Sequence, residues 1–132
     1  LTYGAETWRL TKRVQLKLRT TQRAMERIVI GVTLRDRKRA EWAREQTQVN
    51  YILVETKRKK WAWAGHVMRR QDNCWSLRVT ELISREGKRS RGWRKVRWAD
   101  EIRKFSGIRW SQLVKDRVNW RDMGGAFALQ WA

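Results

Sequence analysis

Proline is absent from this chain, and cysteine and histidine occur once each, as Cys74 and His66. One thiol makes no intramolecular disulfide framework, and one thiol with one imidazole falls short of a Cys/His zinc site. No apolar run approaches the roughly 18 residues of a membrane helix, and no signal-peptide core opens the chain. A nuclear or cytoplasmic address, without a membrane partner, is the expectation. Acidic residues are scarce too: 13 Asp and Glu stand against 32 Lys and Arg, for a formal charge of +19. Leucine, isoleucine, valine and phenylalanine together make up about a fifth of the residues, close to the level at which highly charged chains stay disordered.

What is present in excess is tryptophan. Ten indoles in 132 residues supply large apolar areas that the aliphatic side chains do not. They favour a small, loosely cored domain, and the length leaves no room for a second sizeable core. A strongly cationic surface calls for a polyanion, and nucleic acid comes first among those.

The apolar period is mostly helical, and with no proline the glycines serve as punctuation. Thr11 is placed to cap a helix whose inner stripe reads Val14, Leu18, Thr21, Met25, Ile28 and Val32, and Gly31 suits a left-handed stop. A short helix is expected over Ala40 to Thr47. A third runs from about Asn50 to about Arg70, with Leu53, the stem of Lys57, Trp61, Ala64 and Met68 facing inward. Gly65 inside it costs about 1 kcal/mol against alanine and points to close packing there. Asp72-Asn73 reads as a turn. Residues 75–83 alternate like a strand at first and step like a helix later; helix is favoured, because a single strand finds no partner. Residues 85–97 carry Arg85, Lys88, Arg89, Arg91, Arg94, Lys95 and Arg97 against Glu86, with glycines between, and read as a basic loop. Trp98, Ile102 and Phe105 form a stripe that Gly107 ends. Trp110, Leu113, Val114, Arg117 and Trp120 continue in a helix to a break at Gly124-Gly125. The fold class is all-α: a small irregular bundle of about five to six helices with a basic loop at 85–97, in one domain over 1–132.

Signals for catalysis are poor. His66 sits alone on a helix, and Cys74 has no base beside it. Asp36, Asp72, Asp100, Glu101, Asp116 and Asp122 each have a cation nearby in sequence, which fits local ion pairing better than a magnesium site. A metal site at Asp100 and Glu101 is the enzymatic rival. The span from Gly87 to Gly92 lacks the spacing of a phosphate-binding loop.

Signals for binding are stronger. Lys57, Arg58, Lys59 and Lys60 adjoin Trp61 and Trp63, which fall on opposite sides of a helix, so one indole is core and the other nearer solvent. An exposed indole among lysines stacks on a base for roughly 1–3 kcal/mol, although burial of both indoles is the commoner outcome. Trp93, amid Lys88, Arg89, Arg91, Arg94, Lys95 and Arg97, makes the loop the better docking element. Arg69 and Arg70 complete the candidate nucleic-acid-binding set.

At these motifs the chain resembles the C-terminal region of the endonuclease/reverse-transcriptase polyproteins of non-LTR retrotransposons. The resemblance runs through Leu1-Thr2-Tyr3-Gly4-Ala5-Glu6-Thr7-Trp8, Arg23-Ala24-Met25-Glu26-Arg27 and Leu34-Arg35-Asp36-Arg37. It is most specific at Trp61-Ala62-Trp63-Ala64-Gly65-His66-Val67-Met68-Arg69-Arg70. Arg85-Glu86-Gly87-Lys88-Arg89-Ser90-Arg91-Gly92, Arg97-Trp98-Ala99-Asp100-Glu101-Ile102, Asp116-Arg117, Trp120-Arg121 and Gln130-Trp131 complete it. It implies a thumb-like helical part over 1–84 and a basic extension beyond. It also implies partners in RNA, RNA–DNA hybrid or DNA and in the rest of the polyprotein. The polymerase's catalytic aspartates, with the Mg²⁺ they hold, belong to a palm that precedes this region. The chain itself is therefore expected to hold no cofactor and to turn over nothing, and Leu1 reads as the edge of a fragment. Gly92-Trp93-Arg94 stands where the family usually has Gly-Arg-Pro, a departure that suits a decayed copy. The rival to a working binding module is an inert remnant whose charge is inherited.

Overall fold

The computed structural model describes residues 2–72, 74–81 and 97–130. Among these residues the secondary structure is helical throughout, with no strand. Seven α-helices occur in order: α1 (Lys12–Ile30), α2 (Ala40–Thr47), α3 (Ile52–Arg69), α4 (Trp75–Glu81), α5 (Asp100–Ser106), α6 (Trp110–Leu113) and α7 (Arg117–Leu129). Short 3₁₀ turns at Ala5–Thr7 and Leu34–Asp36 precede α1 and α2. The all-α class holds, with more and shorter helices than the expected five to six.

Local signals account for most boundaries. The Thr11 hydroxyl accepts from the Val14 N–H at 3.3 Å, and Gly31 closes α1 in the left-handed region at φ 72°. The expected single helix after Trp110 is two, because Asp116 accepts from the N–H groups of both Val118 and Asn119 at 3.1 Å and starts α7 afresh. Residues Trp75–Glu81 are helical. The basic loop expected at 85–97 lies outside the described residues except for Arg97.

Two apolar clusters share α3 as their common wall. Near its start, Ile52 and Leu53 pack with Leu10 and Leu18, flanked by Trp8, Val14 and Tyr51. Further along, Trp61 and Ala64 pack with Ile102, Trp110, Val114, Trp120 and Phe127. The inner stripe expected for α3 is buried or half-buried at every position.

The stripe expected for α1 is the face it buries at Val14 and Leu18 but not beyond. Leu18, Gln22 and Glu26 face inward, while Thr21, Met25 and Ile28 lie at the surface, Ile28 with 78% of its area exposed. The reason is polar. Tyr51 gives α3 no side-chain cap, and Gln22 supplies one across the bundle. Its amide oxygen accepts from the Ile52 N–H at 2.8 Å, and its amide nitrogen donates to the Asn50 carbonyl at 3.0 Å. A helix N-terminus left without acceptors is costly when buried, so satisfying it outweighs the burial of one more aliphatic side chain.

Candidate nucleic-acid interface

The cationic run in α3 divides by helical phase. Lys57 and Lys60 are 0% exposed, whereas Arg58 and Lys59 lie at the surface. Both buried ammonium groups converge on the Glu101 carboxylate of α5, Lys60 at 3.1 Å and Lys57 at 4.0 Å. Aromatic faces complete their surroundings: Lys57 lies 5.4 Å from the Phe127 ring centre and Lys60 5.2 Å from that of Trp98. Burial pushes the Lys57 ammonium down to about 8, with Glu101 partly opposing the shift and Lys60 adding to it. Burial also lowers Lys60, again against Glu101. These two lysines are therefore corrections to the candidate set. Both ammonium groups lie inside the fold around one carboxylate, where a phosphate does not reach.

The remaining candidates keep a surface position. Arg58 bonds Glu55 at 3.1 Å, and the Lys59 ammonium donates to the Thr2 hydroxyl at 3.0 Å. Trp63 is half-buried, its ring 5.7 Å from that of exposed His66, while Trp61 is core at 3% exposure. That division between the two indoles matches the sequence expectation. Arg69 is half-buried and donates to the Val114 carbonyl at 3.1 Å; Arg70 is exposed and pairs with Asp72. Arg97 is half-buried, and its backbone N–H donates to Asp100. Lys88, Arg89, Arg91, Trp93, Arg94 and Lys95 lie outside the described residues. On α1, Lys12, Arg13, Lys17, Arg19 and Arg23 are all exposed, and Arg27 is half-buried.

The aspartates do different work from the local pairing expected of them. Asp36 closes a capping box with Thr33, Asp100 holds the Arg97 N–H and Asp116 caps α7. Of the aspartates among the described residues, only Asp72 forms an ion pair, with its near neighbour Arg70. Among those residues no group of three His, Cys, Asp or Glu side chains gathers where a metal would sit. No described helix is long and apolar enough to cross a membrane.

The element that sets α3 against α7 escapes a reading of the sequence, although a signal for it exists. Trp61 and Gly65 on α3 are matched by Trp120 and Gly124 on α7, a tryptophan followed four residues later by glycine in each helix. The indoles stack at 3.8 Å between centroids with an interplanar angle of 11°. Each ring N–H donates to the other tryptophan's backbone carbonyl, at 2.7 Å from Trp61 and 3.2 Å from Trp120. Each glycine lies against the opposite indole: a Cβ on Gly65 would sit 2.6 Å from Trp120, and one on Gly124 would sit 2.8 Å from Trp61. The close packing expected at Gly65 is therefore present. The expected break at Gly124-Gly125 is not, because α7 continues through both glycines and uses Gly124 for this clasp.

No family model matches the chain, and no solved structure matches it. A Caenorhabditis elegans protein named as transposon-derived is 35% identical over 133 residues, covering 91% of this chain and 48% of that protein. The likeness is to a transposon-derived protein. The chain spans about half the length of that relative.

Proposed function

We propose that this chain is the non-catalytic thumb and basic extension of a non-LTR retrotransposon reverse transcriptase. It holds template RNA or primer–template duplex through the phosphate backbone during target-primed reverse transcription. The observation that carries this reading is the cationic surface: five of the six basic residues of α1 are exposed, within a chain of net charge +19. Backbone contacts of that kind position a duplex without reading its sequence, which is what a polymerase thumb requires. The transposon-derived relative supports the same origin. The palm carboxylates lie elsewhere in the parent polyprotein on this reading, so turnover belongs to the parent. The chain then works in the nucleus or the cytoplasm, wherever the parent meets its RNA and its DNA.

Titration onto single-stranded RNA and onto RNA–DNA hybrid over a range of salt tests this. With about six phosphates engaged, log K is expected to fall with log salt at a slope near −5. Alanine at Lys88, Arg89 and Arg91 together is expected to make that slope shallower by roughly 3, about one for each cation removed from a phosphate. A flat slope on both probes leaves the inert-remnant reading in its place. Magnesium-dependent cleavage or extension by the chain, lost on Asp100→Ala, would overturn the non-catalytic part.

A further inference from the structure

Between α3 and α7, beside the tryptophan clasp, lies a cleft of about 1060 Å³. Four arginines line it: Arg58 and Arg69 from α3, Arg117 and Arg121 from α7, with Asp122 the acid among the lining residues. The clasp makes α3 and α7 antiparallel, since Trp61 meets Gly124 and Gly65 meets Trp120. Arg69 and Arg117 therefore share one end, Arg121 lies along the middle, and Arg58 marks the other end. The eleven steps from Arg58 to Arg69 extend about 16 Å along α3 at roughly 1.5 Å each.

The floor is open because the residues there are small. Ala62 and Gly125 are both exposed, and a Cβ on Gly125 would meet nothing within 4 Å. Arg117 and Arg121 pair with no carboxylate among the described residues. Arg69 is held below the usual guanidinium range, first by burial and then by Arg117 beside it. Like charges thus crowd one end of the groove, and an anion seated there would relieve them.

We infer that this cleft is a seat for the sugar-phosphate backbone of a nucleic-acid strand, with Arg58, Arg69, Arg117 and Arg121 as its phosphate contacts. The arginines are strung along the groove and do not converge on one point, which suits an extended polyanion better than a single phosphate. The buried indoles of Trp61 and Trp120 offer no stacking face, so the seat holds backbone without choosing bases. This inference rests on the nucleic-acid-holding function proposed above and gives it a location beyond the candidate residues, which include neither Arg117 nor Arg121.

The test compares the unaltered chain with Arg117→Ala/Arg121→Ala, Gly125→Gln and Gly125→Ala, on a short single-stranded RNA and the matching RNA–DNA hybrid. Salt is varied over about 50 to 200 mM, and helicity is followed by circular dichroism in parallel. The double variant is expected to lose at least about tenfold in affinity, with a slope shallower by roughly 2. Gly125→Gln puts a neutral side chain into open space, and severalfold loss of affinity is expected with the charge unchanged. Gly125→Ala is expected to bind like the unaltered chain. If the double variant does not fold, Gly125→Gln carries the test alone. Steep, salt-dependent binding that neither change weakens would overturn the seat and leave the proposed function standing. A weakened double variant beside an unaffected Gly125→Gln would also overturn it, since the arginines would then act from the rim. A chain that binds neither probe overturns both.

Discussion

Replacing Trp120 by alanine is expected to destabilise the chain by about 3–5 kcal/mol, the range for emptying a large aromatic site in a core. Small domains hold only about 5–15 kcal/mol in all, so the C-terminal half is expected to lose cooperative unfolding in a urea or thermal melt. The loss is large because Trp120 does three things. It stacks on Trp61, donates its ring N–H to the Trp61 carbonyl, and fills the hollow left by the missing side chain of Gly65. Gly65→Ala isolates the last of these. Its methyl would approach Trp120 to 2.6 Å, and overpacking is expected to lower stability by about 1–3 kcal/mol in spite of alanine's better helix propensity. The same change at Gly125 meets open space and is expected to raise stability by up to about 1 kcal/mol. Melts in which both glycine variants shift in the same direction would contradict the clasp.

Glu101→Ala should do comparable damage by a different route. It leaves the ammonium groups of Lys57 and Lys60, both 0% exposed, without the carboxylate they share. Breaking a buried ion pair from one side costs about 3–5 kcal/mol, because the remaining charge stays out of water. Lys57 is the farther of two cations on one carboxylate, and without it Glu101 still holds Lys60 at 3.1 Å; Lys57→Met removes the surplus buried charge without orphaning its partner, so it is expected to melt no lower than the unaltered chain near neutral pH. The pH dependence carries a definite sign. In the folded chain Lys57 loses its proton near 8, whereas the unfolded chain keeps it up to the ordinary value of 10.5. Between those values the unfolded state binds more protons, so stability rises with pH across that window. Thermal midpoints measured upward from neutral pH are expected to climb towards 10, and Lys57→Met should flatten the climb. Glu101→Ala should start the climb at a lower pH, because Glu101 is what opposes the lowering of both lysines. A midpoint that falls through this window would contradict the buried cluster.

How far the sequence discloses this molecule depends on the range of each interaction. Helix ends are legible where one residue decides them, as at Thr11, Gly31 and Gly107. The buried stripe of α3 is legible because its apolar residues recur at helical spacing. The buried face of α1 is not, because Gln22 turns inward to serve a helix start about thirty residues away. Lys60, and the ammonium of Lys57 whose stem the stripe turns inward, pass for phosphate-binding cations for the same reason. Their partner, Glu101, is distant in sequence, and nothing around residue 57 announces it. Gly65 reads correctly as a point of close packing and Gly124 reads wrongly as a break, although both sit opposite a tryptophan in the same geometry. The difference is the neighbouring Gly125, which makes the pair resemble a stop. As for the candidate site, phase along α3 separates Arg58 and Lys59 from their buried neighbours only once the packing is known. Arg117 and Arg121 become a group with Arg69 only when α7 lies against α3.

That arrangement gives the chain an order in time as well as in space. The first cluster draws on residues from Trp8 to Leu53, all of which are made before α3 is complete. Trp61 and Ala64 then wait for partners that come from α5 to α7. Trp61 and Trp120 are 59 residues apart, which at roughly 5–20 residues per second is about 3–12 s of synthesis. Until Glu101 is made, Lys57 and Lys60 lack the carboxylate they share, and for the whole interval Trp61 lacks its stacking partner. A nascent chain of this kind is settled early in its first half and vulnerable late in its second, and its window of aggregation closes only when α7 leaves the ribosome.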